Sequence, residues 1–543
     1  MPFLATEHYP IPTKDLLSWT FDDYRHSWDE PIYVDALDPE RASVSARQAK
    51  KLIRQLVAGF RAIGLRKGDC VCVHSFNHAY YPLVFLAVVA AGGVWAGTNP
   101  AYTSHELTHA LKIAKVKYVL TAPELLGPMI SAMNTVGMPG ANLLIFNPNG
   151  EAAPADHRQW ADLLTHGEQD WTPFNDLDTV KTTEAARLFS SGTTGLPKAA
   201  SYSHYGFIAQ HTLVYEATPR PYRAVRVLAL PMFHAAMAPS AFCTPLRMGE
   251  RAYVMPRFDL EKWLWAMETY GCTDLIVVPP QVVATVNSPL SKKYSLASVR
   301  DARVGAAPLD AKLQARFQAL LGPDVPFTQV WGMTETCCVC TRFPWPHADT
   351  TGSIGIPLPD MDLKIVDEAG RDVSGYGVRG EMCVRGPSTV MGYFENPEAN
   401  ARDWDAEGYF HTGDVVYCDG GTGLWYIVDR KKELIKVRAY QVTPPELEGQ
   451  LLDHPDIVDA AVIGVPDPAR DSELPRAYVV KRVGSGQTLT AEELHKYMRE
   501  RLASYKQLKG GVVFVEAIPK NASGKILKRV LREQAKKEMA AKL

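Results

Sequence analysis

Residues 188–200 read LFSSGTTGLPKAA, a hydroxyl- and glycine-rich loop that ends in a single cation. Ser190, Ser191, Gly192, Thr193, Thr194 and Gly195 stand in a row, and Lys198 follows after Leu196 and Pro197. Hydroxyls beside backbone N–H groups that no side chain shields make a surface able to wrap a polyphosphate, and the lysine adds a point charge. The string departs from the common phosphate loop Gly-x-x-x-x-Gly-Lys-Ser/Thr, because Pro197 stands where the second glycine belongs and Ala199 follows the lysine. A kinase or GTPase is therefore a poor reading. An ordinary surface turn seldom carries such a run closed by Pro-Lys.

Outward from this loop, the 543 residues exceed one ordinary core and imply about two to four domains. A content of 46% apolar and 22% charged residues is that of a soluble globular chain. A formal net charge of −2 gives no electrostatic reason to expect a nucleic-acid partner, so any anion site must be local. Nine cysteines, with no export pattern in residues 1–12, point to reduced thiols inside a cell. Cys337, Cys338 and Cys340 lack the two-residue spacer of zinc sites and have no histidine cluster nearby, so they read as buried small thiols. The longest uncharged apolar run, 82–98, is broken by Gly92 and Gly93 and falls short of the ~20 residues of a spanning helix. It predicts a buried helix and then a strand. The last residues, Ala541, Lys542 and Leu543, are a close variant of the Ser-Lys-Leu address. They predict a peroxisomal import receptor as partner and a peroxisomal location, against the alternative of a Lys/Ala-rich helix end in the cytoplasm.

The pattern along the chain is strand–helix alternation. Ser45 and Gln48 cap an amphipathic helix that Gly64 ends; a strand at 70–76, a helix from Leu83, a strand near Val94, a helix at 103–113 and a strand at 118–121 follow. Such alternation implies a parallel sheet with helices on both faces. Residues 127–184 are rich in Pro, Asn, Gly and Asp and read as loops around one strand at 143–146. A strand at 225–230, a helix at 260–270 and a strand at 275–278 resume the pattern. From Gly352 short strands at 363–366, 380–384 and 386–393 suggest a small barrel. After a glycine turn at 419–423 and a strand at 425–429, a second domain brings strands at 458–465 and 476–480, a helix at 491–503 and a charged helix after Lys525.

A second chemical stretch is Trp331, Gly332, Met333, Thr334, Glu335 and Thr336. An aromatic beside glycine suits stacking on a purine, Thr334 can bond a phosphate, and Glu335 is a hard oxygen ligand suited to Mg²⁺. Together with the loop at 188–200, this stretch resembles the acyl-adenylate-forming (AMP-binding) superfamily, and the chain is similar to the 4-coumarate-CoA ligase branch over about residues 46–528. Two positions depart from the family's common pattern: Ala199 replaces a glycine, and Trp331 replaces a tyrosine.

The resemblance implies a fold and a set of roles. The fold is α/β, a large N-terminal domain of doubly wound sheets plus a small barrel (1–430) and a smaller, mobile α+β C-terminal domain (431–543). Ser190 to Gly195 and Lys198 would hold the ATP phosphates; Ala307, in the segment Gly305, Ala306, Ala307 and Pro308, would line the nucleotide site with Gln329, Trp331, Gly332 and Thr334. Glu335 would bind Mg²⁺. Asp414, after His411, Thr412 and Gly413, and Arg430 match the ribose contacts, and a carboxylate accepts from both ribose hydroxyls. In 429–448, DRKKELIKVRAYQVTPPELE, Lys432 would be the pivot, Lys436 and Gln441 would enter the active site, and Ala439 would stand beside the pantetheine channel of coenzyme A, where ligases commonly carry glycine. In 519–528, PKNASGKILK, Lys525 would reach the acyl carboxylate and the phosphate. Two anions must meet there, so a cation between them stabilises the approach and the charge that develops. His234 would gate the acyl pocket, with Gly305 and Val330 on the acid.

The activity implied is ATP-dependent ligation of a carboxylic acid to coenzyme A through an acyl-adenylate. The acid is aryl, arylacetic or medium-chain, and Val330, where coumarate-activating relatives commonly have glycine, predicts an altered pocket. Two rival readings are an adenylating enzyme that passes the acyl group to a carrier thiol or an amine, and a catalytically silent protein that keeps the fold.

Overall fold

A computed structural model describes residues 3–154, 156–190, 197–430, 433–437, 440–467, 472–482, 489–502, 504–521 and 524–540. The chain divides into two compact units, the larger of Phe3–Leu363 and Cys383–His411, the smaller of Lys364–Met382 and Thr412–Leu543. The division thus lies upstream of the expected boundary at 430/431. The antiparallel ladder that pairs Asp414 with Arg430 keeps those two strands in one unit with the C-terminal residues.

In the larger unit the central sheet has seven strands in the order Arg158–Gln159, Leu143–Ile145, Val116–Thr121, Cys70–His74, Val94–Gly97, Glu184–Ser190, Lys198–Ser203. Neighbours run parallel except the last pair, an antiparallel hairpin. A second sheet sets Val225–Leu228, Arg251–Val254 and Pro31–Asp35 in parallel, with Ser43–Ser45 antiparallel at its edge. A third holds Asp274–Val277, Asp301–Val304 and Phe327–Gln329, all parallel. Thr273 joins the last two: its N–H donates to the Val225 carbonyl at 2.9 Å, and its hydroxyl accepts from the Val225 N–H at 2.9 Å.

The helices form where the sequence supplies caps and a stripe. Ala46–Ala62 opens with the reciprocal Ser45–Gln48 capping box and turns Ile53, Leu56, Val57 and Phe60 inward. Ser104–Ile113 opens with the equivalent Thr103–Glu106 box. Tyr81–Ala90 is buried on every side, which is why its stretch carries no charge. Residues 127–136, expected as loop, belong instead to the helix Leu126–Val136, which buries Met129, Ala132 and Met133 and stops at left-handed Gly137. Pro128 lies in its first turn, where no intrahelical N–H is lost. Two shorter elements, Trp160–Thr165 and Leu177–Thr182, also occupy the expected loop.

Beyond Gly352 the expected strands at 363–366 and 380–384 are Asp362–Val366 and Gly380–Arg385, in one four-stranded sheet with Phe410–Cys418 and Trp425–Arg430. No strand forms at 386–393. In the smaller unit, Ile457–Pro466 pairs antiparallel with Glu473–Lys481, and Gly511–Phe514 adds in parallel. Alternate residues of the first strand separate two cores, as a two-residue period requires. Ala460 and Val462 pack with Leu447, Leu451, Leu494 and Met498, whereas Ala461, Ile463 and Val465 pack with Leu531 and Ala535 of the helix Lys528–Ala540. This is the α+β layering expected. Among the described residues no helix is long and apolar enough to cross a membrane. Ala541, Lys542 and Leu543 lie outside the described residues.

Candidate active site

In open parallel sheets ligands bind outside the carboxyl ends of the strands, and the candidate residues of the larger unit lie there. Ser190 ends Glu184–Ser190, Gly305 follows Asp301–Val304, and Val330 follows Phe327–Gln329. His234 lies on the segment that leaves Val225–Leu228. Register pairs Ser190 with Lys198 at the end of an antiparallel ladder. Ser191 to Leu196 lie outside the described residues.

Around Lys198 the structure assembles a partly buried group. Its ammonium meets Asp403 Oδ2 at 2.7 Å and stands 4.2 Å from the centroid of the Tyr393 ring. Arg402 Nε binds the other oxygen of Asp403 at 2.7 Å. Burial opposes ionisation of Asp403, yet the bonds from Arg402 and Lys198 hold its carboxyl below the usual range. The Tyr393 hydroxyl donates to Glu335 Oε1 at 2.7 Å, so one tyrosine touches both Lys198 and the carboxylate expected to bind Mg²⁺. Burial, then the Glu335 charge, pushes the Tyr393 hydroxyl well up, so it remains a donor. Tyr393 is itself fixed by Asn400, whose side chain accepts from the Tyr393 N–H at 2.7 Å and donates to its carbonyl at 2.9 Å.

Glu335 lies in the turn Thr334–Thr336 between antiparallel strands Trp331–Met333 and Cys338–Arg342. A register shift between Trp331 and Gly332 bulges the ladder. Gly332 is obligatory: a Cβ there would come within 1.5 Å of the Cys338 carbonyl oxygen. The backbone then turns through left-handed Cys337 (φ 52°) and Cys338 (φ 105°), conformations that non-glycine residues rarely adopt. Thr336 Oγ1 accepts from the Met333 N–H at 3.0 Å, and the Val390 N–H donates to the Glu335 carbonyl at 3.0 Å. Cys338 Sγ donates to the Ala236 carbonyl at 3.5 Å, and burial pushes its thiol up to about 12. Among the described residues no three of His, Cys, Asp and Glu group as a metal cage. Mg²⁺ needs no such cage when phosphates supply oxygens, and the single buried carboxylate of Glu335 fits that mode.

At the other side of the site, Val330 lies against Gly305. A Cβ on Gly305 would come within 2.9 Å of Val330 Cγ2, so the isopropyl group occupies space that a glycine at 330 would leave open. Ala306 has left-handed φ of 70°, and the segment after it is held by Gln329, which donates to the Leu309 carbonyl (3.2 Å) and accepts its N–H (3.0 Å). The buried amide of Gln329 thus braces the backbone beyond Ala307. His234 Nδ1 accepts from the Ala236 N–H at 3.2 Å, which leaves the neutral ring's proton on Nε2.

In the smaller unit, register pairs Asp414 with Arg430, and Lys436 with Gln441. The Asp414 N–H donates to Thr412 Oγ1 at 3.1 Å, and Thr412 Oγ1 donates to the Met382 carbonyl at 2.7 Å. Lys525 closes a tight loop: its N–H donates to Asn521 Oδ1 at 2.8 Å and its carbonyl accepts from the Asn521 N–H at 2.9 Å. Lys432 and Ala439 lie outside the described residues. Two residues that sequence reading passed over, Tyr393 and Asp403, belong to the Lys198 group; Asp403 is 205 positions from Lys198, so no local pattern links them.

The chain matches known proteins along most of its length. The family model described as AMP-binding enzyme matches residues 22–394, and that of the AMP-binding enzyme C-terminal domain matches 446–525. The chain is 49% identical over 528 residues to the phenylacetyl-CoA ligase epaB of Aspergillus niger, covering 96% of this chain and 97% of that protein. It is 50% identical over 525 residues to the acyl-CoA ligase azaF of Aspergillus niger, with 96% and 98% covered. The crystal structure of ATP-bound MatB from Rhodopseudomonas palustris superposes with a TM-score of 0.82 at 28% identity, over 96% of this chain and 98% of that one. A TM-score of 0.86 relates it to an anthranilate CoA ligase at 21% identity, over 98% and 99% of the chains, a likeness of fold. With matches of this extent in both units, the chain belongs to the AMP-binding enzyme family, as an ATP-dependent, AMP-forming acid–CoA ligase.

Proposed function

We infer that the acid is an aryl or arylacetic acid, phenylacetate being the first to try. The observation that carries this reading is Val330 Cγ2 set against Gly305, which would narrow an acid pocket on that side, combined with near-half identity to a phenylacetyl-CoA ligase along almost the whole chain. A flat ring on a short linker suits a narrowed slot better than a bulky substituted one. Equal kcat/KM for phenylacetate and for aliphatic acids of six to ten carbons, measured by acyl-CoA mass, would reject the aromatic assignment; a preference of about tenfold or more supports it.

The proposed chemistry runs in two steps. In the first, the acid's carboxylate oxygen attacks the α-phosphorus of ATP, the bond to the bridging oxygen breaks, and pyrophosphate leaves. Ser190 to Gly195 and Lys198 hold the phosphates, Trp331 stacks on the adenine, Asp414 and Arg430 hold the ribose, and Lys525 stands between the two anions. Glu335 would hold Mg²⁺, which supplies charge neutralisation on the phosphate oxygens when bound. In the second, the sulfur of coenzyme A attacks the acyl carbon and AMP leaves with the bonding pair. Lys432 serves as pivot for the change of face, Lys436 and Gln441 contribute after it, and Ala439 borders the pantetheine path. His234 gates the acyl pocket. A closing domain protects the mixed anhydride from water between the steps. Peroxisomal import through residues 541–543 is part of the same proposal; a fluorescent fusion that keeps its location after their deletion would remove it.

A further inference from the structure

The smaller unit contains a buried cation that the two-step chemistry does not use. Lys528 is 6% exposed, and its ammonium lies 3.1 Å from Glu448 Oε1 and 3.4 Å from Glu433 Oε2. Burial alone would lower its pKa, yet the Glu448, Glu433 and Asp429 carboxylates together hold it raised, so the side chain stays charged. Each partner lies on a different element. Glu433 immediately follows the proposed pivot, Glu448 is on the helix Pro444–Leu452 and also accepts the Val462 N–H at 2.8 Å, and Lys528 begins the helix Lys528–Ala540.

Lys528 is also three residues beyond Lys525. The loop that carries Lys525 is anchored at both ends: Lys520 Nζ binds Asp459 Oδ2 at 2.6 Å, Lys520 bridges to Ile526, and the Leu527 N–H donates to the Pro519 carbonyl at 2.8 Å. The exit of the loop is then fixed by Lys528 to the segment that starts the Ile435–Val437 hairpin strand, which carries Lys436. A buried ion pair holds its partners to one geometry, because losing either partner strands a charge.

We propose that Lys528 is a positioning residue that ties the Lys525 loop to the pivot-side segment through Glu433 and Glu448, fixing where Lys525 stands during adenylation. The proposal rests on the reading of Lys525 as the cation of the first step. The test compares Lys528→Met, Lys528→Arg, Lys525→Ala and the Lys525→Ala/Lys528→Met double variant of the full chain. Two rates are followed, pyrophosphate release with acid and Mg-ATP, and thioester formation from synthetic acyl-adenylate and coenzyme A. The expected result is that Lys528→Met slows the first rate about tenfold or more, since a displacement of about 1 Å can cost as much as a hundredfold, and leaves the second within about threefold. Lys528→Arg keeps both, and Lys528→Met adds no further loss on the Lys525→Ala background. Full additivity on that background, or an equal fall in both half-reactions, would overturn it. Normal adenylation by Lys525→Ala would instead refute the underlying reading. If Lys528→Met does not fold, Glu433→Gln carries the same prediction, since it removes one charge of the cluster without burying an unpaired ammonium.

Discussion

Tyr393 shows how one side chain can serve two sites: its ring lies under the Lys198 ammonium and its hydroxyl binds Glu335. Tyr393→Phe keeps the ring and removes the donor to a buried carboxylate. A bond to a charged group contributes about 1.5–3 kcal/mol, so stability in urea should fall by about 2 kcal/mol, with weaker binding of Mg-ATP measured by calorimetry. Unchanged values for both would show that the hydroxyl does not hold Glu335. Lys525→Ala should slow adenylation by about 3 kcal/mol, the typical loss on removing one donor to developing charge; pyrophosphate release at the normal rate would refute its role. Val330→Gly opens the space beside Gly305 and should shift relative kcat/KM toward bulkier aromatic acids. An unaltered ranking of acids by size would remove Val330 from the pocket. At this scale the sequence exposes residues that sit in dense motifs, such as Lys198 and Glu335. Asp403 and Tyr393 escape it because their meaning depends on contacts across long stretches of chain.

Among the elements, the bulged hairpin from Trp331 to Arg342 is the most constrained. Gly332→Ala would drive a methyl into the Cys338 carbonyl, a backbone atom that cannot rotate aside. The hairpin must shift, so the variant should melt below the parent, by about 1–2 °C for each kcal/mol lost in a unit of this size; an unchanged melting temperature with full adenylation would contradict the geometry. The Ser45–Gln48 capping box made Ala46–Ala62 legible down to its first residue. Leu126–Val136 was not, because Gly127 and Pro128 look like breakers until the helix start is known, and only then does proline in a first turn become harmless. The stretch 386–393 erred the other way. Its Val390, Met391 and Tyr393 suit a strand, but Met391 and Phe394 spend their N–H groups on the carbonyls of Ser201 and Ala199, so Tyr393 lies beside the strand Lys198–Ser203 as a single bridge and not in a ladder.

For the whole molecule, two buried histidines set a pH limit. Burial pulls His204 from 6.5 to about 3 and His74 from 6.5 to about 4, and His204 Nδ1 accepts the Leu16 N–H at 3.0 Å, a bond open only to the neutral ring. The unfolded chain protonates near the ordinary value, so it binds more protons than the folded chain between that value and the lowered ones. Stability is therefore complete above about pH 6.5 and falls as pH drops toward 4, by up to about 1.4 kcal/mol per pH unit for each histidine. Melting temperatures from pH 7 to 5 should decline, less steeply in His204→Gln; a flat profile would contradict the burial. The doubly wound sheets and the C-terminal α+β unit were legible from strand–helix alternation.

The most direct test of the account is to incubate the enzyme with Mg-ATP and an aryl or arylacetic acid, with and without coenzyme A, following pyrophosphate, AMP and acyl-CoA together. The account predicts a burst of pyrophosphate near one per enzyme without coenzyme A, held as bound acyl-adenylate, and continuous turnover with matching AMP and acyl-CoA when it is added. Pyrophosphate that accumulates continuously without coenzyme A, or with it but without any thioester, would contradict the claim that this chain joins acids to coenzyme A through a protected adenylate.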